Sequence, residues 1–170
     1  EFLSWPQVKS NFFTYGFEKY YPEEGLIKLK NSNTQKFIIF GNDMNKKGAT
    51  CSLYFLEGNC YKQQLNTSKI NFYENKFEVD IVFNKKGKYK IEIFGNTDRG
   101  KHFNEILEYA AIVETEPKKK LVFPTFYSGK EDLNVIEPLY DNLKTGTRVK
   151  FKIISKLDNI IIINGGEWIH

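Results

Sequence analysis

The sequence predicts an all-β protein, an antiparallel β-sandwich followed by an incomplete second β-sandwich. Short segments that alternate apolar and polar residues recur along the chain, and turn residues separate them about every 8–12 positions. From residue 25 to about residue 116, no segment keeps a helical period of 3.6 over about ten residues. Hydrophobic residues make up 41% of the 170 residues and aromatic residues 16%, which is enough to bury a core.

About seven strands are predicted in the first sandwich, which is the number typical of this architecture. The clearest is Lys76–Phe83, where Phe77, Val79, Ile81 and Phe83 face one way and charged residues face the other. The other predicted strands are Leu26–Lys30, Gln35–Phe40, Cys51–Leu56, Tyr61–Leu65, Lys88–Phe94 and Phe103–Glu114.

The predicted organisation has four parts. Residues 1–20 are rich in aromatic residues without a sustained period, and we expect a lead-in segment that packs on the following domain. Residues 21–116 form the complete sandwich. Residues 117–120 follow Glu116 with a proline and three lysines, which is typical of a solvated linker that few contacts cross. Residues 121–170 form the first half of a second sandwich.

The second unit has three candidate strands, Leu121–Phe126, Arg148–Ile154 and Ile160–Ile163, with a loop over Pro138–Gly146. About 50 residues cannot close a sandwich, and domains this small are usually marginal. The isoleucine run would leave an aggregation-prone edge. We expect the missing strands to come from residues absent from this chain, from strand exchange with a second polypeptide, or from the first domain. We favour the first, a truncated second sandwich. The chain also lacks an initiator Met, and we expect it to be a fragment of a longer protein.

Charge and hydropathy argue against two kinds of partner. The chain has 25 basic and 21 acidic residues, but only Arg99 and Arg148 are arginines, and the lysines are scattered between apolar residues. Nucleic-acid interfaces cluster both residue types, so we expect no nucleic-acid partner. No apolar run approaches the roughly 18–20 residues that cross a bilayer, and the first ten residues do not have the pattern of a signal peptide. We therefore expect no membrane partner.

The few cysteines and histidines argue against catalysis and metal binding. Cys51, Cys60, His102 and His170 lack the spacing of a zinc site. Cys51 is in phase with the core positions Leu53 and Phe55, so a Cys51–His102 nucleophile pair is not expected. The turn at Gly58-Asn59 would keep the two cysteines further apart than a disulfide allows. We predict two free, buried thiols and a cytoplasmic location, with a secreted protein as the alternative.

Other motifs are weaker. Gly165-Gly166 lacks the helix and Lys-Ser/Thr of a phosphate loop, and we expect no cofactor. The acidic pairs Glu23-Glu24 and Glu131-Asp132 are expected to be solvated. Asn66-Thr67-Ser68 is a formal glycosylation sequon. Aromatic residues that could form a binding platform, if exposed, are Tyr54, Tyr61, Tyr73 and Trp168. No catalytic, cofactor-binding or metal-binding residue is predicted.

The segment Gly87-Lys88-Tyr89-Lys90-Ile91 resembles the tyrosine corner of immunoglobulin-like sandwiches. In that motif a Tyr near the start of strand F bonds back to upstream backbone. The Cys expected two residues later is Ile91, so the disulfide between the sheets is absent. The first sandwich is therefore predicted to be immunoglobulin-like.

A wider resemblance covers most of the chain. Phe2-Leu3-x-Trp5-Pro6, the strand from Lys86 to Ile93, and Ile106-Leu107-Glu108-Tyr109 resemble the region after the transglutaminase-like core in the kyphoscoliosis peptidase and hillarin family. Phe123-Pro124-x-Phe126 and the segment from Glu137 to Ile153 are similar to the opening of the next immunoglobulin-like domain there. The resemblance implies tandem modules that bind protein partners, often cytoskeletal ones. The family's catalytic residues belong to the upstream core and have no match here.

These observations predict a non-catalytic interaction or spacer module of a transglutaminase-like protein, with strand edges and loops as the contact surface. Two alternatives stay open. One is a carbohydrate- or surface-binding sandwich of a secreted protein, with a groove of exposed aromatic rings. The other is an accessory wall for the active site of an upstream catalytic core, which would then itself be the partner.

Overall fold

The computed structural model describes residues 4–97, 102–123, 133–137, 144–155, 162–164 and 167–169. Residues 7–113 carry ten strands, a short helix α1 (Ser10–Thr14) and a 3₁₀ turn at Met44–Lys46. The strands are β1 Gln7–Val8, β2 Phe17–Tyr21, β3 Leu26–Leu29, β4 Thr34–Gly41, β5 Gly48–Glu57, β6 Cys60–Gln64, β7 Ser68–Phe72, β8 Lys76–Val82, β9 Gly87–Asn96 and β10 Asn104–Val113. Among the residues described, no helix is long and apolar enough to cross a membrane.

The strands form two sheets with an immunoglobulin-like order. In the first sheet β10, β9, β5 and β6 follow one another, and β1 and β3 share the outer edge of β10. In the second sheet the order is β2-β4-β8-β7. β3 pairs with β10 in parallel, and the other pairs in both sheets are antiparallel. The second sheet has the order ABED, and β10, β9 and β5 of the first sheet match GFC, with β6, β1 and β3 as additional strands. The predicted fold class is therefore confirmed.

The core lies between the sheets and follows the predicted alternation. Successive inward residues of β8 are Phe77, Val79 and Ile81, and each is fully buried. β9 and β10 contribute alternate residues in the same way, because neighbouring side chains of a strand point to opposite faces. Their buried members are Tyr89, Ile91, Ile93, Leu107, Tyr109, Ala111 and Val113.

The tyrosine corner is confirmed. The hydroxyl of Tyr89 accepts a hydrogen bond from the Lys85 N–H at 3.0 Å and donates one to the Lys85 carbonyl at 2.8 Å. Ile91, at the position of the usual cysteine, is fully buried. The turn before β9 is therefore tied to the core without a disulfide.

Residues 4–21 contribute strands to both sheets of the sandwich, whereas a lead-in segment was expected only to pack on it. β1 pairs with β10, and β2 pairs with β4 as an edge of the second sheet. Phe12 of α1 is fully buried, with its ring 5.7 Å from that of Phe17. β2 spans residue 20, where a boundary was expected, and the division of the chain into domains stays a prediction. Pro6 and Gly16 divide this segment into pieces too short to show a period.

Other predicted strands differ in detail. β7 was not predicted, and residues 121–123 form no strand although Leu121–Phe126 was expected to. The remainder of that range lies outside the described residues. β11 (Leu133–Glu137) pairs with β12 (Lys152–Ser155), and β13 (Ile162–Asn164) pairs with β14 (Glu167–Ile169), both antiparallel. The strand expected over Arg148–Ile154 therefore begins only at Lys152.

The predicted linker, residues 117–120, makes more contacts with the sandwich than expected. The side chains of Lys118–Lys120 are exposed, as expected of a solvated run. The backbone beside them is nevertheless hydrogen-bonded to the sandwich, since Lys119 and Leu121 both contact asparagine side chains. A charged stretch with a proline resembles a flexible linker in sequence, because backbone bonds of this kind leave no pattern in the residues that make them.

Candidate functional site

Cys51, the cysteine considered as a nucleophile, packs against the core. Cys51 is opposite Ile93 of β9, and its carbonyl accepts a hydrogen bond from the Ser68 hydroxyl at 3.3 Å. Burial raises the pKa of the Cys51 thiol to about 12, although Ser68 acts in the opposite direction. Because the thiolate is the reactive species, this thiol is unreactive near neutral pH. His102 is exposed before β10. The expected lack of catalysis stays a prediction.

Cys60 is exposed, so the prediction of a buried thiol there was wrong. It begins β6 opposite Glu57, at the edge of the sheet, where no further strand covers it among the described residues. Cys51 lies six positions before Glu57 in β5, so the two cysteine Cα atoms are about 20 Å apart at about 3.3 Å per residue. Both thiols are free, as predicted.

Three carboxylates meet on the outer face of the first sheet. Oxygen atoms of Glu92, Glu105 and Glu108 lie within 4.8 Å of one another. The Lys9 Nζ lies 3.4 Å from Glu105 and 3.7 Å from Glu108, and Lys90 Nζ lies 2.5 Å from Glu92. Burial raises the pKa of Glu105, and Lys9 opposes that effect. Two ammonium groups compensate two of the three carboxylate charges, so the cluster is an ion-pair network, and the absence of a metal site stays a prediction.

Next to this network, one ammonium group lies over two aromatic rings. Lys90 Nζ is 4.9 Å from the ring centroid of Tyr54 and 5.1 Å from that of Tyr61. These three residues, which we call the aromatic–lysine ladder, come from β5, β6 and β9. The hydrogen bond to Glu92 raises the pKa of Lys90, which favours the positively charged ammonium form. Tyr61 is 51% exposed, which leaves half of the ring available to a partner.

The ladder lies beside an open sheet edge. β6 pairs with β5 on one side, and no described strand pairs with its other side. Most of its residues are exposed, and Lys62 forms an ion pair with Glu57 across the hairpin. An edge strand presents unpaired N–H and C=O groups that a strand from a partner can bind. Charged residues such as Lys62 limit indiscriminate pairing at such an edge.

The outer face of the second sheet carries a denser charge cluster than the sequence predicted. Lys36 Nζ lies 2.5 Å from Glu78 and 3.6 Å from Asp80, and Lys76 Nζ lies 2.7 Å from Glu78. Lys69 and Glu78 are each only 7% exposed. The alternation of β8 correctly predicts that Lys76, Glu78 and Asp80 point away from the core, but it contains no information on what covers them.

Two neighbouring carboxylates of this cluster respond to burial in opposite ways. For Glu78 burial opposes ionisation, but hydrogen bonds from Lys36 and Lys76 outweigh it and hold the pKa below its usual value. For Asp80 burial dominates and raises the pKa, even though Lys36 and Lys69 favour the charged form. Burial likewise lowers the pKa of Lys69. The surrounding lysines therefore outweigh the cost of burying the charged form of Glu78 but not that of Asp80.

The remaining candidates from the sequence are spread over the surface. Tyr73 is 38% exposed on the second sheet, with Lys76 Nζ 5.1 Å from its ring centroid, so it does not extend the ladder. Asn66 is exposed in a left-handed turn. Glu23 and Glu24 are exposed, as expected. The side chain of Trp168, Glu131-Asp132 and Gly165-Gly166 lie outside what the structure describes.

Solved structures show a weak likeness. A Bacteroides thetaiotaomicron protein determined by NMR is 14% identical, with coverage of 70% of this chain and 91% of that one and a TM-score of 0.31. Murine CRIg is 9% identical, with 64% and 96% coverage and a TM-score of 0.32. A chain of the titin M10–obscurin-like 1 Ig complex is 11% identical, with 55% and 89% coverage and a TM-score of 0.26.

No curated protein sequence matches the chain. The model of one family does match, under the description KY-like, immunoglobulin-like domain, and it spans residues 1–125. The match includes the aromatic first 20 residues and extends past the lysine run, in accord with the strands and hydrogen bonds observed at both places. This chain belongs to the KY-like immunoglobulin-like domain family.

Proposed function

We propose that this chain is a non-catalytic immunoglobulin-like module that binds a protein partner through the outer face of its first sheet and the edge of β6. The observation that carries the proposal is the aromatic–lysine ladder beside that open edge. Tyrosine is enriched at protein interfaces, because its ring supplies contact area and its hydroxyl a hydrogen bond. A half-exposed Tyr61 next to unpaired strand backbone supplies both kinds of contact.

The chemistry favours an extended segment of a partner. Backbone hydrogen bonds along β6 would supply affinity, and the ladder would select side chains on one face of the added strand. Lys90 places positive charge on that face, and Lys62 adds positive charge on the opposite face of β6, so a segment with acidic residues fits better than a basic one. Each lysine already forms an ion pair with a carboxylate, so the preference for an acidic segment is small.

We further infer that the parent protein is transglutaminase-like and that this module acts as a binding or spacer element after its core. The partner would be a cytoskeletal protein or the upstream catalytic domain itself. Residues 121–170 would begin a second sandwich, completed by further residues or by strand exchange. The two free thiols favour a reducing, cytoplasmic setting.

The test uses a photo-crosslinking amino acid at position 61, with the same substitution at Tyr73 as the matched control on the other sheet. Candidate partners are purified actin filaments, microtubules and a transglutaminase-like core. We expect crosslinks from position 61, none from position 73, and binding at least about tenfold weaker in Tyr61→Ala/Lys90→Ala. Crosslinking from position 73 alone would contradict the assigned surface. Transamidation or proteolysis by this chain would contradict the non-catalytic role.

The carbohydrate alternative has a distinct expectation. A sugar stacks on an open aromatic face, whereas the Lys90 ammonium group lies close to the rings of both Tyr54 and Tyr61. We therefore expect no hits on a glycan array. Binding that Tyr61→Ala abolishes on such an array would favour this alternative over a protein partner.

A further inference from the structure

The chain beyond β10 stays bound to the sandwich. Asn84 makes two hydrogen bonds with the backbone of Leu121, because the Leu121 N–H donates to Asn84 Oδ1 at 2.8 Å and Asn84 Nδ2 donates to the Leu121 carbonyl at 2.7 Å. Asn33 Nδ2 donates to the Lys119 carbonyl at 3.3 Å. Side-chain amides thus hold this backbone as a neighbouring strand would.

The same pattern continues for two more residues. The N–H of Phe123 donates to the carbonyl of Asn66 at 2.9 Å. The Phe123 side chain is only 2% exposed, so it is buried where the chain passes the sandwich. Residues 117–123, which we call the strap, are therefore held at every second position, at 119, 121 and 123. That spacing is the period of an extended chain.

The three asparagines lie at one end of the second sheet. Asn33 directly precedes β4, Asn84 follows β8 by two residues, and Asn66 precedes β7 by two residues. These strands are antiparallel neighbours in the order β4-β8-β7, so the three positions meet at the same end. The strap consequently crosses three strand ends in succession.

The start of the strap is fixed as well. The N–H of Glu114 donates to the Leu29 carbonyl at 2.9 Å, continuing the parallel pairing of β3 with β10. The Glu116 carboxylate accepts a hydrogen bond from the Lys86 N–H at 2.9 Å. No residue from 113 to 123 is therefore more than three positions from a backbone or side-chain bond to the sandwich. A free hinge has no such anchors.

We propose that the strap is a clamp that fixes the point and direction in which the chain leaves the first sandwich, so that β11 is coupled rigidly to the sandwich. β11 lies against β7, next to the point where the strap ends. The family match also continues through residue 125, so the strap belongs to the domain itself. The module is thus a stiff spacer. This inference is independent of the ladder, which lies on the other sheet.

The first measurement needs no substitution. Hydrogen exchange on the full chain should show the Leu121 and Phe123 amides protected, although both come after three exposed lysines. Trypsin should cut slowly after Lys118, Lys119 and Lys120 under native conditions, since a protease needs a locally released backbone. Exchange at the rate of an unstructured peptide, with rapid cleavage at these lysines, would overturn the proposal.

The second measurement uses Asn84→Ala, with Asn75→Ala as the control. Asn75 is exposed at the opposite end of the same sheet, and its backbone carbonyl bond to Gly41 survives the substitution. We expect Asn84→Ala to lower protection at Leu121 about tenfold and to speed cleavage at the lysines, while the control changes neither. Asn84→Asp keeps the acceptor and loses the donor, so it should fall between them.

The rigidity itself is read from NMR relaxation. In the native chain the amides of β11 should tumble with the same correlation time as those of β9. In Asn84→Ala they should become faster, while protection in β9 shows that the sandwich remains folded. Independent tumbling of β11 in the native chain would overturn the rigid coupling, whatever the binding properties of the ladder prove to be.

Discussion

At the scale of single residues, Tyr89 has the most defined task. Its ring lies 5.0 Å from those of Phe55 and Phe83, and its hydroxyl closes the turn at Lys85. We expect Tyr89→Phe to lower the free energy of unfolding by about 1–3 kcal/mol, because the ring contacts persist while the Lys85 N–H and carbonyl lose their partner. Urea denaturation measures this change. Tyr73→Phe, at a half-exposed ring, should change it by less than about 0.5 kcal/mol.

The two cysteines should differ sharply toward a thiol reagent. Cys60 is exposed at the β5–β6 hairpin, whereas Cys51 is half-buried against the core, and burial raises the pKa of its thiol to about 12. We expect one thiol per chain to react rapidly with a disulfide reagent at neutral pH, and the second far more slowly. Cys60→Ser should abolish the fast phase and leave the slow one. Two fast phases in that assay would contradict the assigned burial.

The raised pKa of Cys51 also predicts an alkaline limit to stability. Its folded pKa is about 12 against an ordinary value of 9.0, so the unfolded state releases the proton first. The stabilisation is complete below pH 9 and is lost as pH rises from 9 toward 12, by at most about 1.4 kcal/mol per pH unit. Tyr89, whose pKa is raised to about 12 from 10.0, adds its own loss only above pH 10.

Between pH 9 and pH 10 the thiol contributes before Tyr89 does, while Lys69, whose pKa is lowered by burial, contributes in the opposite direction. Because Lys69 is present in both proteins, urea denaturation at these two pH values should show a change in stability that is more negative in the native chain than in Cys51→Val. A variant with the same slope as the native chain would show that the thiol makes no such contribution.

At the scale of elements, the short helix α1 contributes far more than its length suggests. Phe12 is fully buried against the rings of Phe17 and Tyr20, whereas the adjacent Phe13 is 67% exposed. We expect Phe12→Ala to lower the free energy of unfolding by about 3–5 kcal/mol and Phe13→Ala by no more than about 1 kcal/mol. Equal effects in urea denaturation would mean that α1 is only loosely attached.

The strands with a regular alternation could be predicted from sequence, and those without it could not. β4, β8, β9 and β10 each place apolar side chains on one face, so their period of two is visible in the residues. β7 has the same period over only five residues, and its outward Lys69 and Asn71 are buried, which no composition rule anticipates. β1 and β2 are short edge strands, and Pro6 and Gly16 directly precede them.

The candidate surfaces, too, could be predicted only in part from the sequence. Tyr54 and Tyr61 are visible in the sequence as aromatic residues on strands, but their meeting at Lys90 depends on the register of three strands. A register slip by one residue would send each side chain to the other face. The asparagines that hold the strap come from three separate turns, and only the order of the sheet brings them to one end.

At the scale of the whole molecule, we expect the strap to complete the first domain, and truncation tests this. A fragment of residues 1–125 should unfold cooperatively, whereas one ending at residue 116 should lose at least about 2 kcal/mol, because the buried Phe123 side chain and the bonds to Asn84 are removed. Urea denaturation of both fragments measures the difference.

The matched control is the 1–125 fragment with Lys118, Lys119 and Lys120 changed to Ser. Their side chains are exposed, so its stability should change by less than about 0.5 kcal/mol. Equal stability of the two fragments would show that residues 117–123 lie on a domain already complete without them, and a large loss in the serine variant would assign the effect to lysine charge instead of backbone bonds.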